Sequence, residues 1–223
     1  MSKDSKLSNV YLPKTQYFTY LGNNSFTNCT NLERIDLEED NSLCNFITNI
    51  GFYCFGIDSP YSLTKKHMKV AINGLPTSLK TLGDGALYGG LEGGNPNIII
   101  ENLPNGLSKL STSSLRSCPN ANIQIFGSES PGMGLQTIEG GALHNSGTSI
   151  ENIIINKSIT NLATTTEIGA YGVGAFSGYG PNGNINKVIH YKDPKEIFNT
   201  ESPSKSIEDF LATGLKYNEI EFI

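Results

Sequence analysis

Nucleophilic and metal-binding side chains are few in this sequence and far apart. The cysteines and histidines are Cys29, Cys44, Cys54, Cys118, His67, His144 and His190. No two cysteines form a Cys-x-x-Cys pair, whereas a structural zinc site needs four ligands that converge. We therefore predict buried free thiols, with no metal and no cofactor.

Catalysis by a serine or cysteine nucleophile would need a histidine base and a carboxylate close by. The sequence has no Gly-x-Ser-x-Gly segment of the kind that presents a nucleophilic serine. His190 falls at an inward position of a predicted strand, which favours a packed polar residue over a catalytic base. These observations predict that the protein is not an enzyme.

Two segments have the composition of ligand-binding loops but lack the residue order that such loops require. Glu38-Glu39-Asp40 could hold a hard cation through carboxylate oxygens, but the Asp-x-Asp-x-Asp-Gly order of a calcium loop is missing. The glycine-rich run from Gly169 to Gly178 has neither the Gly-x-Gly-x-x-Gly order nor the Lys-Ser/Thr of a phosphate loop. We interpret the first as a solvated acidic turn and the second as turn geometry around an insertion.

Composition excludes several function classes for this chain of 223 residues. The formal net charge is −5, whereas a nucleic-acid binder needs a basic face to displace counterions from phosphates. Eighteen consecutive apolar residues do not occur, and the polar start Met1–Lys6 is not followed by the apolar run of a signal peptide. We expect no nucleic-acid partner and no membrane insertion.

An internal repeat is the strongest signal in the sequence. One apolar residue is followed by another three places on and by a third five places after that, and the motif recurs every 24 to 32 residues. Its instances are Phe18-Leu21-Phe26, Ile47-Ile50-Phe55, Leu79-Leu82-Leu87, Leu107-Leu110-Leu115, Leu135-Ile138-Leu143 and Ile159-Leu162, the last reaching Phe176 after an insertion. We call these residues the first, second and third anchors.

Each repeat then carries two apolar residues two places apart, a spacing typical of a short strand. The pairs are Val10/Leu12, Ile35/Leu37, Val70/Ile72, Ile98/Ile100, Ile123/Ile125, Ile153/Ile155 and Val188/His190. Because so short a strand cannot bury one face alone, the copies must stack into a parallel ladder over a shared core.

The predicted fold is thus a repeat solenoid, mainly β, with short parallel strands, turns and short helical pieces. We place a solenoid of about six to seven coils at residues 1–198 and a C-terminal cap at 199–223. The cap is expected to contain a short helix at Ser206–Leu211 and an edge strand at Asn218–Ile223.

The repeat unit resembles the BspA-like (treponemal-type) leucine-rich repeat. The segments that carry the resemblance are Phe26–Leu37, Leu79–Leu87 and Leu135–Leu143, and the cysteine of that pattern stands at Cys29 and Cys118. Equivalent places hold Gly90, Ser146 and Tyr179. The resemblance implies a leucine-rich-repeat fold over residues 7–198 and a surface protein or adhesin that binds proteins or host matrix.

Outward strand positions are the candidate partner site. They are Tyr11, Asp36, Ala71, Ile99, Gln124, Ile154 and Ile189, and most of them are apolar or aromatic. Beside them we expect Phe126 and Tyr191 to extend the patch, since aromatic residues are favoured interface anchors. The alternative is that β-propensity alone, or cover from a neighbouring segment, explains the isoleucines.

We predict a non-catalytic binding and adhesion module whose partner is a protein or a surface glycan. The proposed contact residues are Tyr11, Ile99, Phe126, Ile154, Ile189 and Tyr191. A structural or attachment component of a virus (phage) particle is the alternative, with assembly against other chains. The resemblance favours the cell surface, whereas the missing signal peptide leaves the virion or the cytoplasm open.

Overall fold

The computed structural model describes residues 6–13, 15–35, 45–57, 68–69, 71–90, 94–164, 173–191 and 213–223. Over these ranges the chain forms a solenoid of short parallel strands and turns, so the predicted repeat solenoid is confirmed. We number coils 1 to 6 from their first anchors, Phe18, Ile47, Leu79, Leu107, Leu135 and Ile159. The predicted helix at 206–211 and the predicted inward residues Leu37 and Val70 lie outside the described residues.

The strands are mostly two residues long, because each coil contributes only a short extended stretch to each side. In chain order they are β1 Asn9–Val10, β2 Tyr20–Leu21, β3 Arg34–Ile35, β4 Asn49–Ile50, β5 Ile72–Asn73, β6 Thr81–Leu82, β7 Ile98–Ile99, β8 Lys109–Leu110, β9 Ile125–Phe126, β10 Thr137–Ile138, β11 Asn152–Ile155, β12 Asn161–Leu162, β13 Ile185–His190 and β14 Tyr217–Phe222. A 3-10 turn at Pro181–Gly183 is the one helical element in these ranges, and none of their helices could cross a bilayer.

Two strand faces run along the solenoid. The first face contains β1-β3, β5-β7 and β9-β11-β13-β14, and the second contains β2-β4-β6 and β8-β10-β12. Every pairing is parallel and in register from coil to coil. Both faces are interrupted between coils 3 and 4, where β7 does not pair with β9 and β6 does not pair with β8. We call this interruption the break.

A third side is made of turns and continues across the break. The Leu87 amide donates to the Ser114 carbonyl at 2.9 Å, and the Gly89 amide donates to the Arg116 carbonyl at 2.9 Å. Similar bonds join the other coils, such as Phe55 N–H to the Ala86 carbonyl at 2.8 Å. The third side therefore holds coils 3 and 4 together where the strands do not.

The anchors form one continuous core between the three sides. First, second and third anchors of coils 2 to 5 are buried, among them Ile47, Leu82 and Leu115. Each such side chain stabilises the fold by about 1.5–3 kcal/mol relative to exposure. Aromatic anchors also contact between coils, as in the stacked rings of Phe26 and Phe55 with centroids 5.1 Å apart.

Two features differ from the sequence-based expectations. The second strand face was not predicted, because a two-residue strand such as Tyr20–Leu21 is too short to show alternation. Ile125 was expected inward and is 54% exposed, whereas Phe126, expected on the surface, is fully buried. The cause is one extra outward residue in coil 4, where Gln124 and Ile125 both face solvent. The predicted edge strand exists as β14, parallel to β13.

Candidate ligand-binding surface

Three isoleucines form a continuous row on the first strand face. Ile154 of β11 is the direct register partner of Ile125 on one side and of Ile189 on the other. Ile125 is exposed and the other two are half-buried, while their inward neighbours Phe126 and Ile155 are fully buried. We call Ile125, Ile154 and Ile189 the isoleucine stripe. It is an apolar surface that crosses three coils.

The other predicted contact residues are placed unequally around this stripe. Tyr191 is half-buried, follows Ile189 by two residues, and donates its backbone N–H to the Ile155 carbonyl at 3.0 Å. Ile99 is 39% exposed but lies on the other side of the break, and Tyr11 is 73% exposed beside β1. The structure thus brings Ile154, Ile189 and Tyr191 together and leaves Tyr11 apart.

A tyrosine from coil 6 binds the backbone of coil 4 just before β9 begins. The Tyr179 hydroxyl accepts the Ile123 N–H at 2.9 Å and donates to the Ile123 carbonyl at 2.7 Å. Across the break, an isolated bridge joins Ile100 of coil 3 to Ala121 of coil 4, and Asn120 Nδ2 donates to the Pro96 carbonyl at 2.7 Å. The extra outward residue of coil 4 follows directly after Ile123.

The break opens into a groove of about 410 Å³ at the edge of the isoleucine stripe. Its lining is mostly polar and comes from coils 3, 4 and 5: Glu101, Asn102, Asn122, Gln124, Ile125, Ser149 and Ile150. Asn122 Oδ1 accepts the Ser149 N–H at 3.1 Å, which fixes the orientation of that amide. Sequence reasoning missed the groove, because the motif repeats through coils 3 and 4 without a visible gap.

Charged side chains border the stripe at its C-terminal end. Lys187 contacts Glu221 at 2.8 Å and Glu219 at 3.1 Å, and Glu221 is the register partner of Ile189. Hydrogen bonds from Lys187 to Glu221 and then to Glu219 raise the pKa of that lysine. The apolar row therefore ends at a charged rim.

A set of exposed aromatic residues on coils 1 and 2 was also missed. Tyr17 and Phe46 stand one residue before the first anchors of successive coils and are 85% and 45% exposed. The Tyr20 hydroxyl and the Phe52 N–H both contact Asn23 Oδ1, at 3.3 Å and 2.9 Å. An aromatic residue before two consecutive first anchors is the signal that could have revealed it.

The buried Cys118 thiol makes a hydrogen bond between neighbouring coils. The Cys118 thiol donates to the Leu87 carbonyl at 3.0 Å, and burial raises the pKa of Cys118 despite a backbone hydrogen bond from Gly89. One coil later, the Ser146 hydroxyl donates to the Leu115 carbonyl at 2.6 Å and accepts the Cys118 N–H at 3.0 Å. Cysteine and serine thus perform the same coil-to-coil bonding at this position.

Other titratable groups are spread over the third side and the second face. Burial and then the charge of Arg116 lower the pKa of His144, and the Arg116 guanidinium lies 5.6 Å from the ring centre of Tyr88. Glu139 on the second face accepts from Lys109 at 2.8 Å and from the Thr112 N–H at 3.0 Å. In the described part of the chain, no three such groups converge as metal ligands.

One family model matches the chain. It describes the BspA type leucine-rich repeat region, and its six copies cover residues 2–74 and 70–166. Comparison with curated proteins gave no significant match. Comparison with solved structures gave none either.

Proposed function

Since the chain belongs to the BspA-type leucine-rich repeat family, we propose that it is a binding module that docks a protein partner on its isoleucine stripe. Solenoids of this family are typically non-catalytic scaffolds for binding and adhesion. The observation that carries the proposal is the direct register of Ile125, Ile154 and Ile189 across three coils. Such a row is an exposed apolar patch on a rigid support.

The surroundings of the stripe favour a protein over a glycan. Protein interfaces combine an apolar centre with a polar rim, and here Gln124 stands at one end and the Lys187–Glu221 pair at the other. Tyr191 adds an aromatic ring of the type that often anchors protein contacts. A glycan-binding surface would be expected to offer aromatic rings on which sugars stack, whereas the side chains of the isoleucine stripe are aliphatic.

A loop beside the stripe extends the proposed surface. Residues 127–134 follow β9 directly, and within them Met133 is 64% exposed. Insertions in repeat proteins often lie on the binding face. We propose that this loop contacts the same partner, at a cell surface of the kind where BspA-type proteins are often displayed.

Site-specific photo-crosslinking tests this function. A benzoylphenylalanine at position 154 should capture a discrete protein in cells that naturally produce the chain. The matched control places the same group at Asn161, an exposed residue of β12 on the second face. Adding Ile189→Asp should abolish the product from position 154. Equal products from positions 154 and 161, or no product at 154, would contradict the proposal.

A further inference from the structure

We propose that the groove at the break binds an extended peptide segment that carries a basic side chain. This inference rests on the proposed binding function and names the chemistry of one part of the partner. The groove adjoins the stripe at Ile125, so a protein docked on the stripe can place a segment in it.

The backbone on both sides of the groove supports an extended occupant. No backbone hydrogen bond joins residues 101–103 of coil 3 to residues 122–124 of coil 4, all of which the structure describes. On the same face, parallel ladders hold coil 2 to coil 3 and coil 4 to coils 5 and 6. The groove thus occupies a place where strand pairing is interrupted, and an extended peptide is the chain conformation that fits between strands.

The polar lining suits a peptide main chain. Asn102 and Gln124 are exposed, and each carries one amide that both donates and accepts, as a peptide group does. Asn122 uses its Oδ1 on the Ser149 N–H, so its NH₂ group is what it offers a ligand. The amide side chains of Asn102 on one wall and of Asn122 and Gln124 on the other can therefore bind successive main-chain groups of a peptide ligand.

The charge and the shape of the groove limit the chemical class of its ligand further. Glu101 is exposed and is the one charged residue of the lining, which favours a lysine or arginine side chain at that end. Ile125 offers an apolar contact, and no aromatic ring lines the groove for sugar stacking. The volume of about 410 Å³ lies within the range of roughly 300–1,000 Å³ usual for ligand sites.

A positional-scanning array of N-acetylated, C-amidated hexapeptides tests the proposal with the full chain. We expect enrichment of Lys or Arg at one position and of an aliphatic residue at another. Glu101→Gln should weaken the best hexapeptide by about tenfold, the size expected from loss of a charged hydrogen bond. Replacing the basic residue of the peptide by norleucine should weaken wild-type binding equally and leave Glu101→Gln unaffected.

Glu33→Gln is the matched control, because Glu33 is an exposed carboxylate of coil 1 outside the groove. It should bind the hexapeptide like the wild type, and circular dichroism should show all variants folded. Absence of enrichment, or enrichment that ignores Glu101→Gln and Gln124→Ala, would overturn the inference. Binding of a glycan array in place of peptides would do the same. Crosslinking at position 154 is independent of the groove, so its success alongside a failed array rejects only this inference.

Discussion

Tyr179 reaches across coil 5 to bind both backbone groups of Ile123, a residue 56 positions earlier in the chain. Its phenol is fully buried, and burial raises the pKa of its hydroxyl, so it acts as a neutral donor and acceptor. This contact fixes the backbone between the groove residues Asn122 and Gln124, and hence one wall of the groove.

Tyr179→Phe should therefore destabilise the protein. The buried Ile123 N–H would lose its acceptor, a loss that costs about 1–3 kcal/mol. Urea unfolding followed by circular dichroism measures the change. Tyr11→Phe is the control, because that side chain is 73% exposed, and equal stability of the two variants would contradict the structural role of the contact.

Gly147 of coil 5 makes room for the Tyr179 ring to pass. Its φ is +66°, and a Cβ there would collide with the Tyr179 ring atoms Cε2 and Cζ. Gly147→Ala should lose more stability than Gly132→Ala, which has the same left-handed backbone, φ +77°, with nothing within 4 Å. Combining Gly147→Ala with Tyr179→Leu should cost less than the sum of the single changes. Thermal melts of the four variants provide the comparison, and strict additivity would argue against the collision.

The inward and outward assignment in coil 4 can be tested by truncation. Phe126→Ala removes a fully buried ring that packs edge-to-face against Phe176 at 5.2 Å, and should cost about 3–5 kcal/mol. Ile125→Ala should change stability by less than about 1 kcal/mol, since exposed truncations have small effects. Chemical denaturation distinguishes the two. The reverse order would mean that Phe126, not Ile125, faces solvent.

The thiol and hydroxyl of successive coils should be interchangeable. Ser146→Ala removes the partner of both the Leu115 carbonyl and the Cys118 N–H, and should cost about 1–3 kcal/mol. Ser146→Cys should lose clearly less, because Cys118 already donates to the Leu87 carbonyl from the equivalent position. Denaturant midpoints rank the variants. A cysteine no better than alanine would refute the shared role.

Glu139 should make stability fall in acid. Burial opposes its ionisation, but the hydrogen bond and charge of Lys109 and the bonds from Thr112 lower its pKa below the ordinary 4.5. A lowered folded pKa gives stability that is present above the unfolded value and lost as pH falls through the folded value. Burial and the charge of Glu139 raise the pKa of nearby Asp84, which acts in the opposite direction.

Stability measured between about pH 5 and pH 3 should therefore drop less in Glu139→Gln than in the wild type. Glu129→Gln serves as the control and should retain the wild-type slope, because Glu129 is exposed on a loop. If the stability of Glu139→Gln fell with decreasing pH as steeply as that of the wild type, this carboxylate would not contribute to the loss of stability in acid.

Sequence reasoning succeeded where a coil keeps the repeat without additions. Ile98-Ile99-Ile100 and Ile153-Ile154-Ile155 alternate as predicted, with the middle residue outward. Burial of apolar anchors on stacked coils is a local rule, so the periodicity is sufficient to predict it. The parallel direction of the strands follows from the same stacking.

Sequence reasoning failed where residues far apart in the chain determine the local backbone conformation. Ile123 and Ile125 fit alternation as well as any pair, yet the next inward residue after Ile123 is Phe126. The backbone at Ile123 is bound by the Tyr179 hydroxyl, a contact that the local sequence does not reveal. The groove depends on the same contact and on the missing pairing between β7 and β9. Neither is written in the spacing of apolar residues.

The break has a mechanical consequence for the array. Both strand faces are interrupted between coils 3 and 4, while the third side continues there through bonds such as Gly85 N–H to the Thr112 carbonyl. Because regular coil-to-coil hydrogen bonds continue there on the third side, we expect the solenoid to bend most easily about that side at the break. A ligand bound in the groove would contact coils on both sides of the break, so we expect binding to make the solenoid more resistant to bending.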